Sequence, residues 1–279
     1  MALGSYTAKR APGLASRFPF RFFETRSLSS LLWIDPMDSS KAQSPARLIV
    51  GLGNPGKEYE WTRHNVGFHV LDRLAEKRGV LFRGPSRLEG WDGPRGFEWG
   101  EAPANADALE AGRPASASFL LKPGTYMNRS GDIVAPIARW LARRSFLDVR
   151  PAALPAEGEI DSGPSALPDF EPDPASILVV YDDMDLEPGR LRLRPHGGHG
   201  GQNGMRSIMD RLQTRDFPRL RVGIGRAGTD AARHVLSPFS PAEREDLEIT
   251  IAEAVESLEA WLDGETFADV MTRFHSRWN

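Results

Sequence analysis

Cysteine is absent from all 279 residues. That one absence excludes a disulfide scaffold, a thiolate nucleophile, cysteine-ligated zinc and iron–sulfur clusters, and it is compatible with a reducing compartment. Long apolar runs are also lacking. None approaches the ~18 residues that a membrane-spanning helix requires, so no such helix is expected. Neither charge sign dominates: 35 Lys and Arg face 38 Asp and Glu, for a net −3. A polycationic tail and a disordered acidic chain are thereby excluded as descriptions of the whole molecule. Missing too are G-x-S-x-G, H-E-x-x-H and G-K-[ST], and with them the commonest serine hydrolases, zincins and P-loop enzymes.

What is present is 40% apolar and organised as alternating elements. Leu48–Val50, Phe119–Leu121, Ile177–Tyr181 and Leu220–Ile224 read as strands, and Leu191 and Leu193 alternate with arginines as in a half-exposed strand. Val66, Val70, Leu71, Leu74 and Ala75 mark one helix face that stops near Gly79. Ile133–Leu141, Met205–Leu212 and the Leu247–Leu262 stretch have helical spacing as well. This alternation predicts a single three-layer α/β domain: a mixed, mostly parallel twisted sheet with helices on both faces.

Three segments fall outside the pattern. Residues 1–46 form an N-terminal extension whose first 34 residues carry five bases against one acid. That composition resembles an organelle transit peptide; the simpler reading is an upstream start, because Met37 opens a polar stretch leading directly into the first strand. Residues 142–176 hold six prolines between Pro151 and Pro174 and are expected to be a solvated loop insertion. Residues 83–117, rich in Gly, Pro and Ala around Trp91, Phe97 and Trp99, suggest a hairpin with a long tip. Setting aside 1–46 and 142–176 leaves 198 residues, which is one domain (47–279, interrupted) rather than the two that length alone suggests.

Charge is segregated along the chain. From Glu187 to Arg226 nine arginines face three acids, a local +6, whereas residues 241–279 have ten acids and three arginines, a local −7. Arginine's planar fork pairs two phosphate oxygens at once, so a polyphosphate partner suits the basic stretch; a solvated face balanced by the acidic end is the alternative.

Several motifs invite chemistry. Gly51–Gly56 and Gly223–Gly228 both satisfy G-x-G-x-x-G, but a dinucleotide site needs a helix to begin at the turn and an acid about 20 residues on. Pro55 lacks an N–H, and Asp72 falls inside a helix pattern. His196 and His199 sit in a glycine-rich turn with no third ligand nearby, which favours backbone-bonded loop histidines over a metal site. His64 lies just before a predicted helix, close to the turn after the first strand, where open α/β sheets keep their sites. Asn54, Asn128 and Asn203 occupy comparable turns and are suited to orienting substrate or bonding an oxyanion. Asp182 ends a buried strand, a natural place for a carboxylate that fixes an imidazole tautomer, although Asp182-Asp183-x-Asp185 also suits Mg²⁺.

Five ordered blocks carry a resemblance. They are Leu48-Ile-Val-Gly-Leu-Gly-Asn-Pro-Gly56 with Tyr59 and Thr62-Arg-His-Asn-Val-Gly67, Lys122-Pro-Gly-Thr-Tyr-Met-Asn-Arg-Ser-Gly131, Tyr181-Asp-Asp-Met-Asp-Leu186, Gly197-Gly-His-Gly-Gly-Gln-Asn-Gly204 and Arg219-Leu-Arg-Val-Gly-Ile-Gly225. Together they resemble bacterial-type peptidyl-tRNA hydrolases over about 47–141 and 177–279. The resemblance implies hydrolysis of the ester joining a peptide to the 3′-terminal ribose of tRNA, recycling tRNA stalled off the ribosome, with no cofactor or metal, in a cytoplasmic monomer not bound to a membrane. Plastid or mitochondrion is the alternative location if 1–36 is a transit peptide. In that reading His64 activates water, Asp182 holds its imidazole, and Asn54 helps discriminate blocked from free aminoacyl-tRNA. Tyr59, Tyr126, Asn128 and Asn203 contact the tRNA end and peptide, and Arg194 and Arg221 match a phosphate clamp. Gln202 and Tyr126 depart from the family's frequent His and Phe. The competing expectation is a non-catalytic RNA-binding protein, such as an organelle splicing factor, on the same scaffold.

Overall fold

Leu48, Ile49 and Val50 are the centre of strand β1 (Arg47–Gly51), and the rest of the sheet is assembled around them. The computed structural model describes residues 46–103, 105, 110, 112, 118–149, 171–226 and 230–278, with the backbone alone for 146–149. After β1 come α1 (Val66–Arg78), β2 (Phe97–Ala102), β3 (Ser118–Pro123), α2 (Gly131–Val149) and β4 (Ile177–Asp183). The chain continues through β5 (Leu191–Arg194), α3 (Asn203–Leu212), β6 (Arg219–Gly223), α4 (Ala231–Val235), α5 (Pro241–Leu262) and α6 (Phe267–Trp278). Strand order is β2-β3-β1-β4-β6-β5. The inner four strands are parallel, and β2 and β5 pair antiparallel at the two edges.

The period of two along each strand decides which layer a side chain enters. Ile49, Leu178, Val180, Leu220 and Val222 point to one face, where α1, α5 and α6 pack. Leu48, Val50, Phe119, Ile177 and Val179 point to the other, covered by α2 and α3. Because both faces are covered, every residue of β4 is buried, which explains its near-continuous apolar sequence. The expected three-layer α/β domain with a mixed, mostly parallel sheet is therefore observed.

Helix α1 stops where the sequence predicts, with Gly79 in the left-handed region at φ 64° accepting the C-cap role. Its N-terminal turn lies directly on the sheet. A Cβ on Gly67 would stand 2.5 Å from both the Leu52 nitrogen and the Val180 oxygen, so only glycine permits this approach. Since α1 follows β1 onto one face while α2, which leads from β3 into β4, lies on the other, the chain parts at these adjacent strands. That is the topological switch point where open sheets form crevices.

Three elements differ from expectation. Helix α2 continues through Val149, so its last turns occupy sequence assigned to the loop insertion. The strand in the 83–117 region is β2, which pairs along its length with β3 outside that region and, within it, makes an antiparallel bridge from Trp99 to Arg83. Helix α6 was not anticipated. It buries Val270, Phe274 and Trp278 and covers the free edge of β5, where the Leu193 N–H donates to His275 Nε2 at 3.1 Å. Residues 1–45 of the N-terminal extension and 150–170 of the insertion lie outside the described residues.

The Gly67 contact predicts a direct test. Gly67→Ala should destabilise the protein by roughly 3 kcal/mol, the upper part of the overpacking range, because the obstacles are backbone atoms that cannot rotate away. Urea unfolding should show the lower midpoint; an unchanged midpoint contradicts the close approach.

Candidate active site

Asp182 is the penultimate residue of β4, and its carboxylate is 3% exposed. Burial of that charge demands donors, and two converge on it. His64 Nδ1 lies 2.8 Å from Oδ2, and Gln202 Nε2 donates to Oδ1 at 3.1 Å. With Asp182 ionised, Nδ1 carries the proton and Nε2 keeps its lone pair as the basic atom. His64, Asp182, Gln202, Asn203, Met184 and Val235 line a cleft of about 220 Å³ over the sheet's parting strands.

Asn54, three residues past the end of β1, is held by its neighbours in a single orientation. Its backbone N–H donates to Asn65 Oδ1 at 2.8 Å, and Asn65 Nδ2 donates back to the Asn54 carbonyl at 3.0 Å. Asn54 Oδ1 accepts from the Met127 N–H at 2.8 Å, which turns its Nδ2 outward as an available donor. Asn54 and Asn65 line a neighbouring concavity of about 680 Å³ together with Lys122 and Phe68. The structure thus brings Asn54 beside the His64 loop but into the adjoining hollow rather than the His64 cleft itself.

The His64 loop is tethered on its far side by Arg63. The Arg63 guanidinium, 10% exposed, donates to the Ser237 carbonyl and hydroxyl at 3.2 and 3.0 Å, to the Pro238 carbonyl at 2.7 Å and to Glu243 at 2.5 Å. It also stacks over Phe239, 5.0 Å from the ring centroid. Glu243 closes the capping box of α5 with Ser240. Burial pushes the Glu243 carboxyl upward, but the bonds from Ser240 and then Arg63 outweigh it and hold the group below its ordinary range.

The remaining predicted positions are placed as follows. Asn203 is exposed at the first residue of α3 and lines the His64 cleft. Tyr126 and Asn128 are exposed on either side of buried Met127, and Tyr59 is half-buried in the 3₁₀ turn after Asn54. Arg194 is exposed, whereas Arg221 is half-buried and ion-paired with Asp183. Across the basic stretch, five of the nine arginines are engaged internally. Arg219 is buried and donates to backbone carbonyls, Arg190 bonds the Trp278 carbonyl, and Arg211, Arg221 and Arg226 pair with acids. Arg192, Arg194, Arg206 and Arg215 carry no ion pair among the described residues, so the free basic surface is smaller than the sequence implies.

The three aspartates considered for Mg²⁺ diverge: Asp182 faces His64 and Gln202, Asp183 faces Arg221, and Asp185 faces Arg226. Among the described residues no three His, Asp or Glu side chains converge as a metal site. His199 Nδ1 accepts from the Gly201 N–H at 3.0 Å, the backbone-bonded role expected of it. After Gly51–Gly56, α1 begins only at Val66, so this turn presents no helix N-terminus to a pyrophosphate. Sequence reading missed Asn65, Arg63 and the weight of Gln202. Gln202 had a signal, as the N-cap preceding a helix; Ser240-x-x-Glu243 is a capping-box pattern that marks α5 but not its pairing with Arg63.

Comparison with known proteins adds the following. The pattern of the peptidyl-tRNA hydrolase family matches residues 48–145 and 163–279. A peptidyl-tRNA hydrolase of Synechococcus sp. (strain JA-3-3Ab) is 40% identical over 245 residues, covering 86% of this chain and 88% of that protein. The chloroplastic peptidyl-tRNA hydrolase of Arabidopsis thaliana is 39% identical over 251 residues, covering 86% of this chain and 69% of its own length. The crystal structure of peptidyl-tRNA hydrolase from Acinetobacter baumannii superposes with a TM-score of 0.61 at 31% identity, covering 83% of this chain and 95% of that one.

The Arg63 tether sets its own expectation. Arg63→Met removes a buried guanidinium's bonds to the Ser237 hydroxyl and the Pro238 carbonyl together with the Glu243 pair and should cost about 2 kcal/mol, whereas Glu243→Gln removes only the pair and should cost under about 1 kcal/mol. Equal losses in urea unfolding would show that the ion pair, not the carbonyl contacts, is what holds the loop.

Proposed function

The chain belongs to the peptidyl-tRNA hydrolase family and hydrolyses peptidyl-tRNA, and on that premise we propose that its His64–Asp182 pair activates the water that cuts the ester. The observation carrying this reading is the 2.8 Å contact between His64 Nδ1 and a buried carboxylate at the rim of the cleft. It leaves Nε2 as a general base facing the reacting groups. Water gives its proton to Nε2 as its oxygen attacks the ester carbonyl. The tetrahedral intermediate then expels the ribose 3′-oxygen, which takes the proton back from the imidazolium. Water and ester thus become a free peptide carboxyl and a tRNA hydroxyl. Asp182 stabilises the transient imidazolium without itself taking the proton.

Developing negative charge on the carbonyl oxygen needs donors. Asn203 lines the cleft at the positive end of α3, and we assign it this role. Asn54, whose Nδ2 faces outward from a fixed amide, binds the peptide side and separates blocked from free α-amino groups. Tyr59, Tyr126 and Asn128 surround that turn and contact the tRNA end and the peptide backbone. The exposed Arg194, aided by Arg192, Arg206 and Arg215, meets tRNA phosphates; Arg221 serves through its pair with Asp183. Contacts of this type carry no sequence information, which suits an enzyme accepting every tRNA. An ester's leaving group is good enough that positioning, one base and one or two donors suffice.

The reading places the activity in residues 47–279 of a monomer, interrupted by an insertion within 142–176. In support, the family pattern passes over residues 146–162. No helix among the described residues is long and apolar enough to cross a membrane. We assign the cytoplasm as location, with a plastid or mitochondrion as the alternative for which the chloroplastic Arabidopsis relative speaks; the mass of the native N-terminus separates them.

Purified protein should release the acyl group from N-acetylaminoacyl-tRNA, and His64→Ala should abolish release while retaining tRNA binding. Full activity in that variant would remove His64 as the base, and a wild type that binds without cleaving would favour the splicing-type alternative. Arg194→Ala should weaken tRNA binding and lower the salt slope by about one. An unchanged slope would take Arg194 out of the phosphate contacts.

A further inference from the structure

Three loops and the end of β4 meet at the site, and their contacts close into a ring. His64 bonds Asp182, Asp182 accepts from Gln202, and Gln202 Nε2 lies 3.3 Å from Met127 Sδ. Met127 then donates its N–H to Asn54, and Asn54 is clasped by Asn65, the residue after His64. Gln202 is the member that joins the two halves. Its amide cannot be flipped: Oε1 accepts from the Met205 N–H at 2.8 Å as the N-cap of α3, so Nε2 must face Asp182. Gln202 is 8% exposed, and the titratable groups sharing its cleft are His64, Tyr181, Asp182 and Asp183, the last already paired with Arg221.

We propose that Gln202 is a positioning residue for hydrolysis, holding the Asp182 carboxylate so that its other oxygen fixes the His64 ring, with the α3 N-terminus as its anchor. This rests on the hydrolytic reading above and goes beyond it in assigning the second donor. Asp182 has two oxygens to satisfy. If Oδ1 lost its donor, the carboxylate would turn toward water or the cleft, and the imidazole would lose its alignment with the ester. An amide is suited to this place, because it donates at one end, accepts at the other and does not titrate.

The test separates this role from simple capping. Gln202→Glu keeps an acceptor for the Met205 N–H, so α3 keeps its cap, but it sets a second buried carboxyl against Asp182, which raises the pH at which the new group ionises. The donor to Asp182 is lost, and the thermal midpoint lowered, only where that carboxyl is ionised. With N-acetylaminoacyl-tRNA as substrate, kcat should fall about tenfold to a hundredfold at the alkaline end of the accessible pH range with KM unchanged, as for one lost hydrogen bond to a charged group. The ratio of variant to wild-type kcat should recover toward acid pH, where the protonated carboxyl donates as the amide does. Gln202→Leu should lose kcat at every pH and also lower the thermal midpoint. Wild-type kcat in Gln202→Glu, or a loss independent of pH, overturns the proposal. A wild type that leaves the ester intact removes the hydrolytic reading first, and this proposal with it.

Discussion

A carboxylate buried at the end of a central strand is the constraint around which this protein is arranged. Asp182 enters a region with little solvent, and its charge is tolerable only if donors reach both oxygens. Those donors come from loops far apart in sequence, His64 after β1 and Gln202 before α3. They meet because α1 and α3 pack on opposite faces of the sheet and the loops before them converge beside the end of β4. The Gly67 contact on the sheet backbone lets α1 start close enough for His64 to reach across.

The same arrangement explains why the site is stiff on one side and accessible on the other. Behind His64, Arg63 ties the loop to the turn before α5 through carbonyls and Glu243. In front, Asn203, Tyr126 and Asn128 are exposed, and Asn54 presents a free amide donor. Rigid support beneath exposed polar groups is what positioning catalysis of an ester requires.

Electrostatics is more local than the linear charge distribution suggests. The acids of α5 meet the bases of α1, as in Lys77 and Arg78 with Glu259, and half of the arginine-rich stretch binds its own acids and carbonyls. What remains for an anionic partner is a small set centred on β5 and α3, with Arg194 at the strand end. Arg221 shows the difference most clearly: its sequence setting equals that of Arg194, yet pairing with Asp183 in the sheet half-buries it.

Local chemistry alone determined much of this protein. Short apolar or alternating runs between turns specified the four central strands, and the 3.6-residue spacing from Val66 to Ala75 with Gly79 beyond it specified α1, because period and capping act within a few residues. The same holds for His64 and Asp182, each adjacent to a strand end that the pattern marks. Edge strand β2 was illegible for the opposite reason, since Trp99 and Phe97 sit in a Gly- and Pro-rich background. Helix α6 did carry a local signal, Phe267, Val270, Met271, Phe274 and Trp278 at helical spacing, that the reading passed over. Only the tertiary structure decided that Gln202, whose neighbours mark it as nothing more than a helix cap, would face Asp182 from the other side of the crevice. Long-range packing set that distance, and no local propensity encodes it.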